Sequence, residues 1–183
     1  GGVLGLCRAA ALVRARPRST VLLIVVELSS LAFRYDRITK SNMVACALFG
    51  DGAAAAVLGG RGDGRSGAIT IGDGGEHLWP ATLGVMGWDI DAQGLDVIFQ
   101  QSIPEIVARD FAPALDGFLA ARGLTRDDVD RPCCHPGGAK VVIELERVFG
   151  FPEGGLDAER RVLRDFGNMS APTVLFVLDE LIR

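Results

Sequence analysis

Residues 21–26 read Val21-Leu22-Leu23-Ile24-Val25-Val26, an unbroken run of β-branched residues and leucine. Such a run lacks the alternation of a half-wet strand and predicts one covered on both faces, as in parallel sheets. Upstream, apolar residues recur at helical spacing from about Val3 to Ala15, with Leu4, Cys7, Ala11 and Leu12 on one face, and Pro17 ends the helix. Downstream, Gly50-Asp51-Gly52, with Asp51 as turn former, leads into a second strand from Ala53 to Leu58. Apolar strands beside amphipathic helices argue for an α/β layered fold.

Further along, Gly59 to Gly67 is too glycine-rich for regular structure and reads as a junction between two units. Ala68 to Ile71 and Leu95 to Phe99 are strand candidates. Ser102-Ile103-Pro104-Glu105 has the form of a capping box. The helix it opens runs to about Arg122, buries Ile106, Val107, Phe111, Leu115, Phe118 and Leu119, and stops at Gly123. A helix from Ala139 to Phe149 buries Val142, Leu145 and Val148 or Phe149, and Gly150 closes it. The last helix begins near Ser170, which caps it, with Pro172 in its first turn.

Composition narrows the function classes. A hydrophobic share of 49% over 183 residues is enough to bury a core. The net charge of −4, with no basic stripe, gives nucleic acid no electrostatic footing. The longest apolar stretch is interrupted by Glu27 and falls short of the ~20 residues a bilayer span needs, so no membrane helix is expected. Nothing in the first residues reads as a secretory leader, and four cysteines are too few for a disulfide scaffold; the cytoplasm is the expected compartment.

The chemistry concentrates in Cys134-His135-Pro136-Gly137-Gly138 and Gly167-Asn168-Met169-Ser170. Each places one polar side chain at a glycine turn before an apolar helical stretch, as a rigid scaffold presents a group to a cavity. A His and an Asn that converge can both donate to one oxygen and stabilise the charge that develops on a thioester carbonyl. Other clusters are weak. Cys133, Cys134 and His135 suggest zinc only superficially, since adjacent cysteines in an extended segment point apart and no second knuckle exists; no metal is expected. The glycines around Arg61-Gly62-Asp63 lack a P-loop ending. Cys7 reads as a small buried hydrophobe. Glu27, at the end of an apolar strand, either bonds to nearby backbone or borders a site.

With Ala47-Leu48-Phe49-Gly50-Asp51-Gly52-Ala53-Ala54-Ala55 added, these stretches resemble the type III polyketide synthases, the chalcone and stilbene synthase family, in order and separation. The resemblance runs from Gly1 to Arg183. It implies a thiolase-like layered αβαβα fold, incomplete, in which residues 1–60 end the first half, 61–66 form the junction, and 67–183 make up most of the second half. It also implies that a nucleophilic cysteine precedes Gly1. His135 would hold its thiolate and, with Asn168, donate to the thioester carbonyl, while Phe49 would stand as gatekeeper between the coenzyme A tunnel and the elongation cavity. Ala32, Ala45, Trp88, Val97 and Ser170 fall at cavity-shaping positions.

The activity implied is iterative decarboxylative Claisen condensation of malonyl-CoA onto an acyl-CoA starter, giving a polyketide that cyclises to an alkylresorcinol-, alkylpyrone- or chalcone-like product. Coenzyme A thioesters are the substrates, no cofactor is bound, and the whole protein is a homodimer. Arg34-Tyr35-Asp36 to Lys40-Ser41-Asn42, and Met86-Gly87-Trp88-Asp89, look like bacterial members, among them alkylresorcinol and alkylpyrone synthases, which implies a fatty acyl starter. A ketoacyl-ACP synthase III is the nearest alternative enzyme, although such enzymes usually follow the His with Gln-Ala-Asn and precede the helix with Gly-Asn-Thr-Ser. An alternative of another class is an inactive fragment or pseudoenzyme, because no nucleophile lies among these residues.

Overall fold

The computed structural model describes residues 1–60 and 69–183. The predicted junction at 61–66 and the start of the strand predicted from Ala68 lie outside the described residues; Ile69 to Ile71 are not in a strand.

Helix α1 (Gly2–Ala15) packs on strand β1 (Thr20–Leu28). Its buried face is Gly2, Ala9, Ala10 and Val13, whereas Leu4 and Leu12 are exposed and Cys7 is half-buried, so the expected apolar stripe is rotated. Small residues face the sheet because the helix approaches it closely: a Cβ on Gly5 would stand 3.2 Å from Leu23 Cδ1.

β1 pairs antiparallel with β2 (Asp51–Gly59), in register from Thr20 opposite Gly59 to Leu28 opposite Asp51. This corrects the expectation of a strand covered on both faces. Val21, Leu23, Val25, Ala54, Ala56 and Leu58 face α1 and the last helix, while Leu22, Ile24, Val26, Leu28 and Val57 are exposed. An all-apolar run specifies a strand but neither its partner nor its direction. Asp51 begins β2 and accepts from the Ser30 N–H (2.8 Å) and hydroxyl (2.6 Å), which pins the 3₁₀ turn Ser29–Ala32 to the sheet.

Helix α2 (Lys40–Leu48), not anticipated, is capped by Thr39, whose hydroxyl accepts from the Asn42 N–H. β3 (Met86–Asp91) and β4 (Gly94–Phe99) form a separate antiparallel hairpin lying against α2 and the Ser29–Ala32 turn. The predicted long helix is α3 (Ile103–Ile106), a π turn (Val107–Phe111) and α4 (Ala112–Ala120). The π turn follows from Pro113, which cannot donate into the helical ladder. Ser102 is itself in helical conformation and caps nothing, so the capping box does not form, and only Leu119 of the expected face is fully buried. Gly123, at φ +69°, turns the chain beyond α4.

α5 (Ala139–Phe149) matches its expected bounds, buries Val142, Leu145 and Val148, and closes on Gly150 at φ +71°. α6 (Asp157–Phe166), not anticipated, packs on α7 (Thr173–Ile182); Ala158, Val162, Met169 and Val177 between them are at most 1% exposed. Ser170, at φ +58°, makes no side-chain cap, and Pro172 is the N-cap residue of α7.

Candidate active site

Three elements meet around Asn168. Its N–H donates to Leu48 O (2.8 Å) and its carbonyl accepts from Gly50 N–H (3.0 Å), a parallel bridge that ties it to Phe49 at the end of α2. Its side chain is 1% exposed, donates from Nδ2 to Gly137 O (3.1 Å), and accepts at Oδ1 from the Ser170 N–H (2.8 Å). An amide nitrogen carries two protons. One is used on Gly137, which leaves the other for a ligand oxygen.

Gly137 belongs to the turn that carries His135; its N–H donates back to the His135 carbonyl (3.0 Å). His135 is exposed to solvent, with its ring packed beside Gly137. Desolvation by burial lowers its pKa. The Gly1 end of α1 is drawn in beside Ala171: a Cβ on Gly1 would stand 2.2 Å from Ala171 Cβ, and one on Gly2 would stand 2.5 Å from Ala171 O. Only glycine permits this approach. The start of α1 therefore lies against the turn that follows Asn168.

Beyond Phe49 opens a cleft of about 580 Å³ lined by Ala32, Arg34, Asn42, Ala45, Cys46, Trp88 and Val97 among others. The structure thus gathers five of the expected residues, Ala32, Ala45, Phe49, Trp88 and Val97, around one space. Phe49 packs edge-on against Phe99 of β4, with centroids 5.8 Å apart. His135, Asn168 and Ser170 do not line this cleft; they adjoin it through the Phe49–Asn168 bridge and the Asn168–Gly137 bond. Glu27 is half-buried opposite Gly52 in the β1–β2 ladder.

Cys133 and Cys134 point into different cores, the first toward α7 and the second toward α5. Burial pushes the Cys133 thiol up to about 12 and raises that of Cys134 as well, which disfavours a thiolate at either position. The Cys134 N–H donates to Glu159 (2.9 Å), a carboxylate 1% exposed whose pKa is raised by burial. Glu159 thereby anchors the segment leading into His135. Sequence reasoning missed it because the helix that carries it went unread.

Residues 73–183 match the family of chalcone and stilbene synthases, C-terminal domain. The chain belongs to that family. Residues 1–75 match 3-oxoacyl-[acyl-carrier-protein (ACP)] synthase III. The chain is 40% identical to a 1,3,6,8-tetrahydroxynaphthalene synthase of Streptomyces peucetius subsp. caesius over 99% of its own length and 48% of that protein's. Among solved structures, it superposes on the tetrahydroxynaphthalene synthase of Streptomyces coelicolor A3(2), a bacterial type III polyketide synthase, with a TM-score of 0.87 at 27% identity, covering 97% of this chain and 50% of that one. On PKS-I from the brown alga Ectocarpus siliculosus the TM-score is 0.85 at 34% identity, covering 98% and 48%. The fold is therefore the thiolase-like α/β fold of the type III synthases. The chain spans about half the length of the curated relatives it matches. Among the described residues, no helix is long and apolar enough to cross a membrane.

Proposed function

We propose that this chain supplies the oxyanion-stabilising side of a type III polyketide synthase, which condenses malonyl-CoA onto an acyl-CoA starter by repeated decarboxylative Claisen steps. One observation supports the reading: Asn168, with one amide proton spare, bonds to the Gly137 turn that carries His135, close to the start of α1 and to the cleft that begins at Phe49.

The nucleophile is a cysteine thiolate upstream of Gly1, stabilised by the α1 terminus and by His135. It attacks the starter thioester and expels coenzyme A. Malonyl-CoA binds with its thioester oxygen on His135 Nε2 and Asn168 Nδ2, and breaking its carboxyl bond releases carbon dioxide and leaves an enolate whose negative oxygen these donors hold. The enolate carbon attacks the acyl-cysteine carbonyl, the thiolate leaves, and a β-ketoacyl-CoA extended by two carbons returns to the cysteine. Cyclisation of the finished chain occurs in the cleft. No cofactor takes part, and the working protein is a cytoplasmic homodimer.

The starter is a fatty acyl-CoA and the product is of the alkylresorcinol or alkylpyrone type, as the Met86-Gly87-Trp88-Asp89 stretch suggests. A second reading, a fused aromatic product, is favoured by the 40% identity to a tetrahydroxynaphthalene synthase. Incubating the complete natural protein with radiolabelled malonyl-CoA alone, with fatty acyl-CoA and with aromatic acyl-CoA tests both. A cyclised product from the fatty starter supports the first, and one from malonyl-CoA alone the second. Turnover only with acyl-carrier protein, or a residue other than cysteine throughout the few codons before Gly1, would sink the proposal.

A further inference from the structure

The β3–β4 hairpin contributes Trp88 and Val97 to the cleft, yet a lone two-stranded hairpin is marginal in water. Beside the Phe49–Phe99 contact, a network of charged groups holds it. Arg34, 7% exposed, forks onto Asp36 through Nε (2.7 Å) and Nη2 (2.6 Å), and onto Asp91 through Nη1 (3.0 Å) and Nη2 (3.2 Å). Asp91 lies at the hairpin turn, where its Oδ1 also accepts from the N–H groups of Gln93 and Gly94. On β4, Asp96 accepts from Arg37 (2.6 Å) and from Asn42 Nδ2 (3.0 Å), and the same Asn42 amide donates to Arg37 O. Two arginines before α2 and one asparagine on it thus grip two aspartates on the hairpin.

The polar atoms complement one another closely. Asn42 is buried and satisfied, and Arg34 uses both edges of its guanidinium, a geometry lysine cannot reproduce. Hydrogen bonds from Arg34 hold the Asp36 carboxyl down to about 2 and lower that of Asp91, so both are ionised across the physiological range. Neither Asp91 nor Asp96 lines the cleft.

We infer that Asp91 and Asp96 are specificity-determining residues that act at a distance: by clamping the hairpin to Arg34, Arg37 and Asn42 they set how far Trp88 and Val97 stand from α2, and so the acyl chain the cleft admits. This rests on the synthase reading for the identity of the ligand. The clamp itself does not depend on that reading.

The test compares the complete natural protein with its Asp91→Asn, Asp96→Asn double variant, which leaves every lining side chain in place. Asn at 91 retains an oxygen for the hairpin turn and loses the ion pair. Two quantities are read: hydrogen exchange of the 86–99 amides, and the ratio of dissociation constants for non-transferable thioether analogues of a long-chain and a short-chain acyl-CoA. A ratio within one variant does not change with the fraction of protein folded. Releasing the hairpin accelerates exchange and shifts the ratio toward the long analogue by about tenfold, the scale on which pocket size discriminates chain length. An unchanged ratio, or a shifted ratio with unchanged exchange, overturns the inference. Absence of malonyl-CoA turnover in the parent protein would instead overturn the synthase reading, while binding and exchange still decide the clamp.

Discussion

The two adjoining parts of the candidate site are held by different physics. The Asn168 shoulder rests on Met169, Val162, Ala158 and Val177, all nearly inaccessible, and on a backbone bridge to Phe49. The β3–β4 hairpin leaves Met86, Trp88 and Ile90 exposed and is fastened by ion pairs around Arg34 and Arg37. Close packing permits few arrangements, which would suit the proposed oxyanion donor. Ion pairs near solvent are softer and respond to salt and pH, which suits a wall whose position selects a ligand.

The largest effect expected from breaking this contrast is at the shoulder. Asn168→Ala should lower the rate of malonyl-CoA condensation by about 10²–10³, the usual loss on removing one oxyanion donor. It should leave hydrogen exchange in the hairpin unchanged. A variant with near-parental kinetics would remove Asn168 from the chemistry.

Next comes a paired substitution. A Cβ on Gly50 would stand 2.4 Å from the Phe166 carbonyl oxygen, a backbone atom that cannot rotate away, whereas at Gly87 on β3 nothing lies within 4 Å. Gly50→Ala should therefore destabilise the protein by about 1–3 kcal/mol through overpacking, while Gly87→Ala should stay within about 0.5 kcal/mol. Chemical unfolding of both reads the difference, and equal midpoints would mean the two parts are packed alike.

Salt gives a smaller effect. At about 1 M the screening length falls to about 3 Å, so amides of residues 86–99 should exchange faster while those of Asn168 and Gly50 keep their protection. Equal acceleration in both regions would show that ion pairs do not distinguish them.

The smallest effect is a pair of opposed pH slopes. Glu159 has a raised pKa from burial, so its contribution to stability is present below its unfolded value and is lost as pH rises through the folded one. Asp36, Asp91 and Asp96 have lowered values, so their contribution is present above the unfolded value and is lost as pH falls, down to about 2 for Asp36. Relative to the parent, Glu159→Gln should gain stability between acid and neutral pH, whereas Asp96→Asn should lose it. Parallel curves would contradict both assignments.

Much of the shoulder was legible in the sequence and little of the hairpin's attachment. α5 could be read to its ends because Val142, Leu145 and Val148 recur at helical spacing and Gly150 supplies the left-handed stop. α6 could not, since its buried face consists of Ala158, Val162 and a carboxylate among charged neighbours, too thin an apolar stripe for periodicity to register. The cleft residues came from motif resemblance, because the contacts that assemble them join segments far apart in the chain. Arg34 and Asp36 were visible only as a mark of bacterial relatives; that Asp91 completes the fork is a fact of tertiary placement. The direction of β1 against β2 was likewise hidden, because an all-apolar strand looks the same whichever way its partner runs.

The left-handed turn at Ser170 gives the site a polarity. Its N–H can bond only to the oxygen of the Asn168 amide, and the Gly137 carbonyl can bond only to the nitrogen, so the side chain has a single admissible orientation. Were it free to flip, the same position could greet a donor or an acceptor with equal ease. Fixed as it is, it turns a proton toward whatever arrives, so it discriminates between guests by the sign of the partner atom, welcoming an electron-rich oxygen and giving nothing to an ammonium group.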